Sequence, residues 1–279
     1  IVPPALNMAS FLLENRSKGH FSALKTRTRL PLPLLLLRGM ASAVAGNLYW
    51  MSGVHHILDF GLSRPDRTDP SQPAIVMVHG LYHNRSAWRV LKDLFKSHSV
   101  SNAYTWAYPS FGLSFEDLVQ DCTRTLHQIA AVHPGQGMIL IGHSLGGLIL
   151  RQALCDPDLK SRVLLILTLG TPHQGTRAAR MGIGRLARGL VPRGTIIEQV
   201  NTMECSRSAP ALSLYSNLDT MVVPASNLRI HEPGWSESET EPTTHVAMLF
   251  NKKVCAQVLD IVSHALTSGC PIDRDGKRS

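Results

Sequence analysis

Residues 138–147 read Met-Ile-Leu-Ile-Gly-His-Ser-Leu-Gly-Gly, an apolar run followed by the pattern Gly-x-Ser-x-Gly. The run Met138–Ile141 predicts a buried strand, and Leu145–Leu154 has the pattern of a helix. A Gly-x-Ser-x-Gly turn between a strand and a helix is typical of a nucleophile elbow, in which the serine backbone is strained. We therefore expect the Ser144 hydroxyl to project above the strand, close to the electropositive start of the next helix. The alternative is a glycine-rich turn whose serine is idle.

Short apolar runs alternate with helical patterns on both sides of this turn. Strands are predicted at Ala74–Val78, Ala103–Ala107, Met138–Ile141, Val163–Leu169 and Ala211–Tyr215. Helices are predicted at Arg85–Lys96, from Ser114 to Pro134, at Leu145–Leu154 and at Lys253–Leu266. This alternation predicts the α/β class, with a mostly parallel central sheet and helices on both faces.

Composition places the chain among ordinary globular proteins. It has 279 residues, of which 44% are hydrophobic and 17% are charged, so the bulk of it is not intrinsically disordered. The length suits one large catalytic domain over residues 61–279, preceded by an N-terminal extension over residues 1–60.

The net charge of +8 is concentrated in two segments. Residues 1–40 carry six basic side chains against Glu14, and residues 173–197 carry five arginines and no acid. No nucleic-acid-binding motif accompanies them, so nucleic acid is not an expected partner. Two interpretations stay open: contact with a membrane or another lipid interface, or solvated arginines without a partner.

The N-terminal extension resembles a secretory signal in part. The basic segment 25–29 precedes the apolar run Leu30–Leu37, and the small residues Ala43-Val-Ala45 follow. However, Arg38 interrupts the apolar run, which is also too short to cross a bilayer. An exported or membrane-associated protein and a cytoplasmic one with a packed or disordered extension both remain open.

Five cysteines occur without any Cys-x-x-Cys pair, so neither a zinc site nor a disulfide framework is expected. One bridge among Cys205, Cys255 and Cys270 stays open. No metal or other cofactor is expected.

A serine hydroxyl needs a base to become a nucleophile. The order after an elbow serine is an acid and then a histidine, which selects His245 from the 13 histidines because it follows the predicted strands and precedes the last helix. His231 is the alternative, and His264 lies inside the last predicted helix.

The acid is expected on the loop after a strand. Asp219 fits this position because it follows the run Ala211–Tyr215. Asp156 and Asp158 come too early in the chain. Asp219 would hold the imidazole in its reactive tautomer; the alternative is an aspartate that only shapes a turn.

Two backbone N–H groups are expected to stabilise an oxyanion. One belongs to Leu145, directly after the nucleophile, and the other to Leu81, in the loop after the run Ala74–Val78.

Five segments together resemble the bacterial triacylglycerol lipase and esterase branch of the α/β-hydrolases, and also the hydrolases related to GPI inositol-deacylases. They are residues 79–88, residues 142–147, residues 170–175, residues 216–224 and His245. The resemblance implies the α/β-hydrolase fold, and it implies substrate contacts from the segment after the fourth predicted strand. The residues expected to contact substrate are Tyr82, His143, Thr171, Pro172 and His173.

Residues 176–200 lie where such enzymes insert a small cap or lid. Apolar residues alternate there with five arginines and four glycines, as in an amphipathic lid that meets lipid. An ordinary pair of surface helices is the alternative.

These residues predict a serine ester hydrolase of lipid metabolism, acting on a small-molecule or lipid ester through an acyl-enzyme. The alternatives are an acyltransferase or a thioesterase with the same triad, and a non-catalytic binding protein of the same fold.

Overall fold

A seven-stranded sheet forms the centre of the protein, in the strand order β1-β3-β2-β4-β5-β6-β7. The strands are β1 Gly61–Ser63, β2 Ala74–Val78, β3 Ala103–Ala107, β4 Met138–His143, β5 Val163–Leu169, β6 Ala211–Tyr215 and β7 Trp235–Glu239. Strand β1 pairs antiparallel with β3, and every other pair is parallel. This computed structural model describes residues 4–16, 19–28, 30–53, 58–202 and 209–268.

Ten helices are present among the described residues. They are α1 Pro4–Asn15, α2 His20–Thr28, α3 Leu32–Ser52, α4 Arg89–Ser97, α5 Phe115–Val132, α6 Leu145–Ala153, α7 Pro157–Lys160, α8 Arg185–Gly189, α9 Thr195–Thr202 and α10 Lys252–Ser268.

Helices cover both faces of the sheet, which explains why its central strands are apolar throughout. Val76 of β2 packs in the same core as Leu118 of α5 and Leu148 of α6. The next residue, Met77, points to the opposite core, which contains Val258 of α10. The predicted α/β architecture, with a mostly parallel sheet and helices on both faces, is confirmed.

Both edge strands differ from the predicted strands, because neither has an apolar run. Strand β7 has the sequence Trp-Ser-Glu-Ser-Glu, and its five residues are all half-buried. Strand β1 has three residues and pairs only with β3. An edge strand has one neighbour and needs less burial, so apolar periodicity does not detect it.

The first three helices pack onto the loop after β6. Phe11 of α1 and Leu35 of α3 are fully buried in a cluster with Leu218 and Val223 of that loop. Helix α3 contains an 18-residue stretch, Leu32–Tyr49, that is long and apolar enough to cross a membrane by length and composition alone, and 17% of it is buried.

The segment proposed as a lid is divided into short helices. A 3-10 turn at Arg177–Met181 precedes α8 and α9. Leu186 and Ile196 are buried in the main core, whereas Ile183 is 76% exposed. Both anchored and exposed apolar residues therefore occur within the segment.

Cys122 and Cys255 are free and buried, and Cys155 is disulfide-bonded. Cys205 and Cys270, the other two cysteines considered for a bridge with Cys255, lie outside the described residues.

Candidate active site

The turn at Ser144 has the backbone of a strained elbow. Its φ of 54° and ψ of −123° are values that residues with a side chain rarely adopt. Neighbouring backbone approaches so closely that a side chain at Gly142 would lie 2.5 Å from the Gly147 Cα, and one at Gly146 would lie 2.5 Å from the His79 carbonyl oxygen. Helix α6 begins at Leu145, so the serine lies at a helix N-terminus whose first N–H groups have no partner within the helix.

His245 and Asp219 form a hydrogen-bonded pair. The His245 Nδ1 lies 2.6 Å from the Asp219 Oδ2, and both side chains are buried. The other carboxylate oxygen, Oδ1, accepts the backbone N–H groups of Met221 and Val222, each at 2.8 Å. Both oxygens are therefore held, which fixes the carboxylate relative to the imidazole.

Ser216 ties the loop of Asp219 to the loop of His245. Its hydroxyl donates to the Thr243 carbonyl at 2.7 Å and accepts the Thr243 N–H at 2.9 Å. The same oxygen also accepts the Leu218 N–H at 3.1 Å. Ser216 was not among the residues predicted for the site, although its position directly after a strand indicates a loop-forming role.

Ser144 lies beside this pair. Its N–H donates to the Leu169 carbonyl at 3.0 Å, and the next residue, Gly170, is placed so that a side chain there would lie 3.3 Å from both Asp219 Oδ2 and His245 Nδ1. The described residues contain no hydrogen bond from the Ser144 hydroxyl to the imidazole. Such bonds are often long in ligand-free sites and tighten around a substrate.

His143 also connects the elbow to His245. Its Nε2–H donates to the His245 carbonyl at 3.2 Å, and the two rings are 4.6 Å apart. His143 is therefore a packing partner of His245, and its 2% exposure leaves little surface for the substrate contact expected from the sequence.

The loop after β2 lies over the serine. A side chain at Gly80, the residue before Leu81, would be 2.8 Å from the Ser144 Cβ, so the loop touches the elbow at this point. The next N–H, of Tyr82, donates to Ser110 Oγ at 2.7 Å. No hydrogen bond from the Leu81 N–H occurs within the part of the chain that the structure describes.

His79 and Tyr108 fix the start of this loop. The His79 Nδ1–H donates to the Gly80 carbonyl at 2.8 Å, and its Nε2 accepts the Tyr108 N–H at 3.2 Å. The Tyr108 hydroxyl donates to the His79 carbonyl at 3.0 Å, and the rings stack at 4.4 Å. Tyr108 was not predicted from the sequence, because it follows a different strand, β3.

Three buried histidines surround the site in their neutral form. Burial lowers the pKa of His79 to about 4 and that of His83 to about 3. Burial, together with the neighbouring His245 and His83, holds the pKa of His143 well below its usual range. No group of three or more His, Cys, Asp or Glu side chains among the described residues is arranged to hold a metal ion.

Thr171, which was also expected to contact substrate, is bonded to the elbow. The Thr171 hydroxyl donates to the Ser144 carbonyl at 3.1 Å, and Pro172 is buried beside it. The third, His173, is fully buried. The hydrogen bond of Thr171 ties the segment after β5 to the elbow, and its contact with substrate stays a prediction.

His173 belongs to an internal polar network that the sequence did not indicate. The buried Arg151 donates to His173 Nδ1 at 3.1 Å and to Glu232 Oε2 at 2.7 Å. The His173 Nε2–H donates to Ser213 Oγ at 3.1 Å. Both ring nitrogens are engaged, so we infer that His173 positions its loop instead of contacting substrate. Burial also lowers the pKa of Arg151, to about 10.

Tyr82 connects the loop after β2 to the segment proposed as a lid. Its hydroxyl accepts the Ile183 N–H at 2.8 Å and donates to the Ile183 carbonyl. Its ring lies 5.6 Å from that of Phe111, which is 59% exposed. Tyr82, Phe111 and Ile183 therefore form an exposed apolar edge beside the loop of Leu81.

Comparisons with known proteins identify the family and the fold. A family model described as the alpha/beta hydrolase family matches residues 75–263. No curated protein matches the chain.

Three solved structures share the fold at low identity. The mature lipase BlEst2 of Bacillus licheniformis aligns with a TM-score of 0.60 at 17% identity, covering 74% of this chain and 98% of that one. Lipase B of Aspergillus fumigatus aligns with a TM-score of 0.62 at 16% identity, covering 73% of this chain and 56% of that one. A thermophilic esterase of Thermogutta terrifontis aligns with a TM-score of 0.51 at 13% identity, covering 74% and 94%.

Proposed function

The chain belongs to the alpha/beta hydrolase family, and from this premise we propose that it hydrolyses carboxylic esters with Ser144 as nucleophile, His245 as base and Asp219 as the acid of the triad. The observation that carries the proposal is the buried hydrogen bond between His245 and Asp219 beside a strained serine at a helix N-terminus. A serine, an imidazole and a carboxylate in this arrangement perform acyl transfer.

The first half of the reaction forms an acyl-enzyme. His245 Nε2 takes the hydroxyl proton as Ser144 Oγ attacks the ester carbonyl carbon. The carbonyl oxygen becomes an oxyanion, which accepts hydrogen bonds from the N–H groups of Leu81 and Leu145. Asp219 stabilises the imidazolium, which then protonates the leaving alcohol as the C–O bond breaks.

The second half releases the acid. His245 takes a proton from water, and the resulting oxygen nucleophile attacks the acyl carbon. The same two N–H groups hold the second oxyanion. The bond between the acyl carbon and Ser144 Oγ then breaks, which releases the acid, and the imidazolium returns the proton to Oγ, so the site regains its starting state.

The ester is proposed to be a lipid ester. Support comes from the exposed apolar edge of Tyr82, Phe111 and Ile183 beside the loop of Leu81. An apolar acyl chain gains about 0.8 kcal/mol for each methylene that such a surface removes from water. The BlEst2 and Aspergillus structures are described as lipases, which is compatible with this substrate class.

Residues 176–200 are proposed to act as a lid at the lipid interface. Their five arginines would favour an anionic surface, and Ile183 presents an apolar side chain outward. Replacing Arg180, Arg185 and Arg188 together by serine should lower activity on anionic lipid dispersions and spare a soluble short ester. An equal loss of activity on both substrates would contradict the proposal that this segment is a lid.

Covalent labelling and a serine variant test the reaction. The full chain should react with a fluorophosphonate probe, and Ser144→Ala should abolish labelling and lower kcat on p-nitrophenyl butyrate by about 10⁵- to 10⁶-fold. Ser161→Ala, which removes an exposed serine hydroxyl outside the site, is the matched control. Retained turnover in purified Ser144→Ala would refute the assignment.

A further inference from the structure

Large apolar side chains are exposed mainly in the N-terminal helices and the segment that follows them. Eleven such side chains are exposed among the described residues, and nine of them precede residue 61. These nine are Leu6, Leu13, Leu34, Leu37, Val44, Leu48, Met51, Leu58 and Phe60. Scattered apolar residues are normal on a surface, but a contiguous patch of them marks an interaction site.

Five of these side chains, together with Ala41, form a regular stripe along α3. Its members follow one another at intervals of three or four residues, which places them on one face of a helix. They are Leu34, Leu37, Ala41, Val44, Leu48 and Met51, and all six are exposed. At 1.5 Å per residue the stripe is about 26 Å long. We refer to these six residues as the outer stripe.

The opposite face of α3 packs against the α/β-hydrolase domain along the whole length of the helix. Leu35 is fully buried in the cluster with Leu218. Ser42 shares a hydrogen bond with Thr244 at 3.4 Å. Farther along the helix, the Tyr49 ring lies 4.0 Å from that of Phe250.

Two glycines allow this close seating. A side chain at Gly39 would lie 3.3 Å from Leu218, and one at Gly46 would lie 3.2 Å from the Ala247 backbone nitrogen. Helix α3 therefore cannot enter a bilayer across its full thickness without leaving the body. It can present the outer stripe to a membrane while its inner face stays packed.

The charge around the stripe indicates which surface it meets. Residues 1–40 carry six basic side chains and one acid. Arg38 lies on α3 next to the stripe and is 54% exposed although it pairs with Glu241 at 3.0 Å, and Arg16, at the end of α1, is exposed. An apolar helix face flanked by basic residues suits a bilayer with anionic headgroups, since the chains accept the stripe and the headgroups attract the cations.

We propose that the outer stripe of α3 is a membrane-docking surface that lies flat on an anionic lipid bilayer. Binding goes beyond ester hydrolysis and does not depend on it. The inner face of the same helix contacts Leu218 and Ala247, which neighbour Asp219 and His245 in the chain, so α3 would lie between the bilayer and these two loops.

Vesicle flotation of the full chain tests the docking surface. All proteins carry Ser144→Ala, so lipid is not consumed and failure of the proposed chemistry cannot affect the result. The vesicles are phosphatidylcholine with a quarter of phosphatidylglycerol, or phosphatidylcholine alone. The charge variant is Leu37→Asp with Leu48→Asp, and the control, Gln128→Asp with Ala256→Asp, adds the same charge at exposed positions of α5 and α10.

The parent protein should float with the anionic vesicles and at least about tenfold more weakly with the neutral ones, because several cations contribute to binding. The charge variant should lose at least about tenfold in affinity for the anionic vesicles, and the control should stay within about twofold. If the charge variant unfolds, Leu37→Ser with Leu48→Ser replaces it, and hydrogen exchange of the parent protein should show vesicle protection in α3.

Three outcomes would overturn the proposal. The first is equal flotation of the stripe and control variants. The second is a dimer that only the stripe variant dissociates, which would make a second copy of the chain the occupant. The third is retention of the chain in cell membranes after an alkaline wash, which would indicate a spanning helix.

Discussion

The Nδ1 of His245 lies 2.6 Å from the Oδ2 of Asp219, and the second oxygen of that carboxylate is held by two backbone N–H groups. The carboxylate therefore has two tasks: it shapes the loop after β6, and it orients the imidazole. A substitution that keeps the first task and removes the second separates catalysis from folding.

Asp219→Asn is this substitution. The asparagine Oδ1 can still accept from Met221 and Val222, while its Nδ2 would face His245 Nδ1 and favour the wrong imidazole tautomer. We expect kcat on p-nitrophenyl butyrate to fall about 10⁴-fold with little change in melting temperature. A variant that keeps most of its activity would remove Asp219 from the triad.

Tyr82→Phe tests the link between the loop of Leu81 and the proposed lid. It removes the two hydrogen bonds to Ile183 and keeps the ring next to Phe111. If these hydrogen bonds contribute about 1 kcal/mol to the binding of a long acyl chain, their loss should raise KM for a long-chain ester about fivefold. The kcat on p-nitrophenyl acetate should stay nearly unchanged.

Tyr104→Phe is the matched control, because its hydroxyl bonds to His133 inside the core containing Leu126 and Ile129. An equal rise of KM for the long-chain ester in Tyr82→Phe and Tyr104→Phe would show that loss of any hydrogen-bonded tyrosine hydroxyl has this effect. It would then say nothing about the hydrogen bonds between Tyr82 and the proposed lid.

Much of the fold could be predicted from sequence because the central strands are buried on both faces. An apolar run such as Val163–Leu169 is a strong local signal, and the elbow at Ser144 adds a turn with defined backbone demands. The expected chain order, an acid and then a histidine after the serine, then selected Asp219 and His245 from the other acids and histidines of the chain. The resemblance to α/β-hydrolases is confirmed by the family match, and the roles of the three residues stay predictions.

The remaining features depend on contacts between distant parts of the chain. Arg151 is buried because His173, Glu232 and Asn201 all bond to it, and none of these residues is close to it in sequence. Strand β7 has no apolar period, so local patterns do not reveal it. Such features need the fold before they can be recognised.

The N-terminal helices stabilise the loop after β6 through Asn15. Its side-chain oxygen accepts the Ala225 N–H at 2.9 Å, and its amide donates to the Phe11 carbonyl at 2.9 Å. Asn15→Ala leaves the buried Ala225 N–H without this acceptor, and should lower the free energy of unfolding by about 1–3 kcal/mol in denaturant titrations.

Asn7→Ala provides the comparison. Asn7 is also buried on α1, but its side-chain oxygen has no hydrogen-bond partner among the described residues. We expect this variant to lose less stability than Asn15→Ala. Equal losses would indicate that packing, and not the hydrogen bond to the loop after β6, accounts for the effect.

Buried neutral histidines make the protein sensitive to acid. His79 has a pKa of about 4 in the folded protein, lowered by burial from its usual 6.5. Between these two pH values the unfolded chain binds a proton at His79 that the folded protein does not bind, so stability falls as the pH falls from 6.5 to about 4. The slope for one histidine is about 1.4 kcal/mol per pH unit, which gives a loss of about 3 kcal/mol across the window.

His79→Gln cannot titrate, so its unfolding free energy should decline less steeply by that amount when both proteins are titrated with denaturant at several pH values. Parallel curves for the two proteins would mean that His79 titrates alike in the folded and unfolded states, contrary to the lowered pKa that its burial causes.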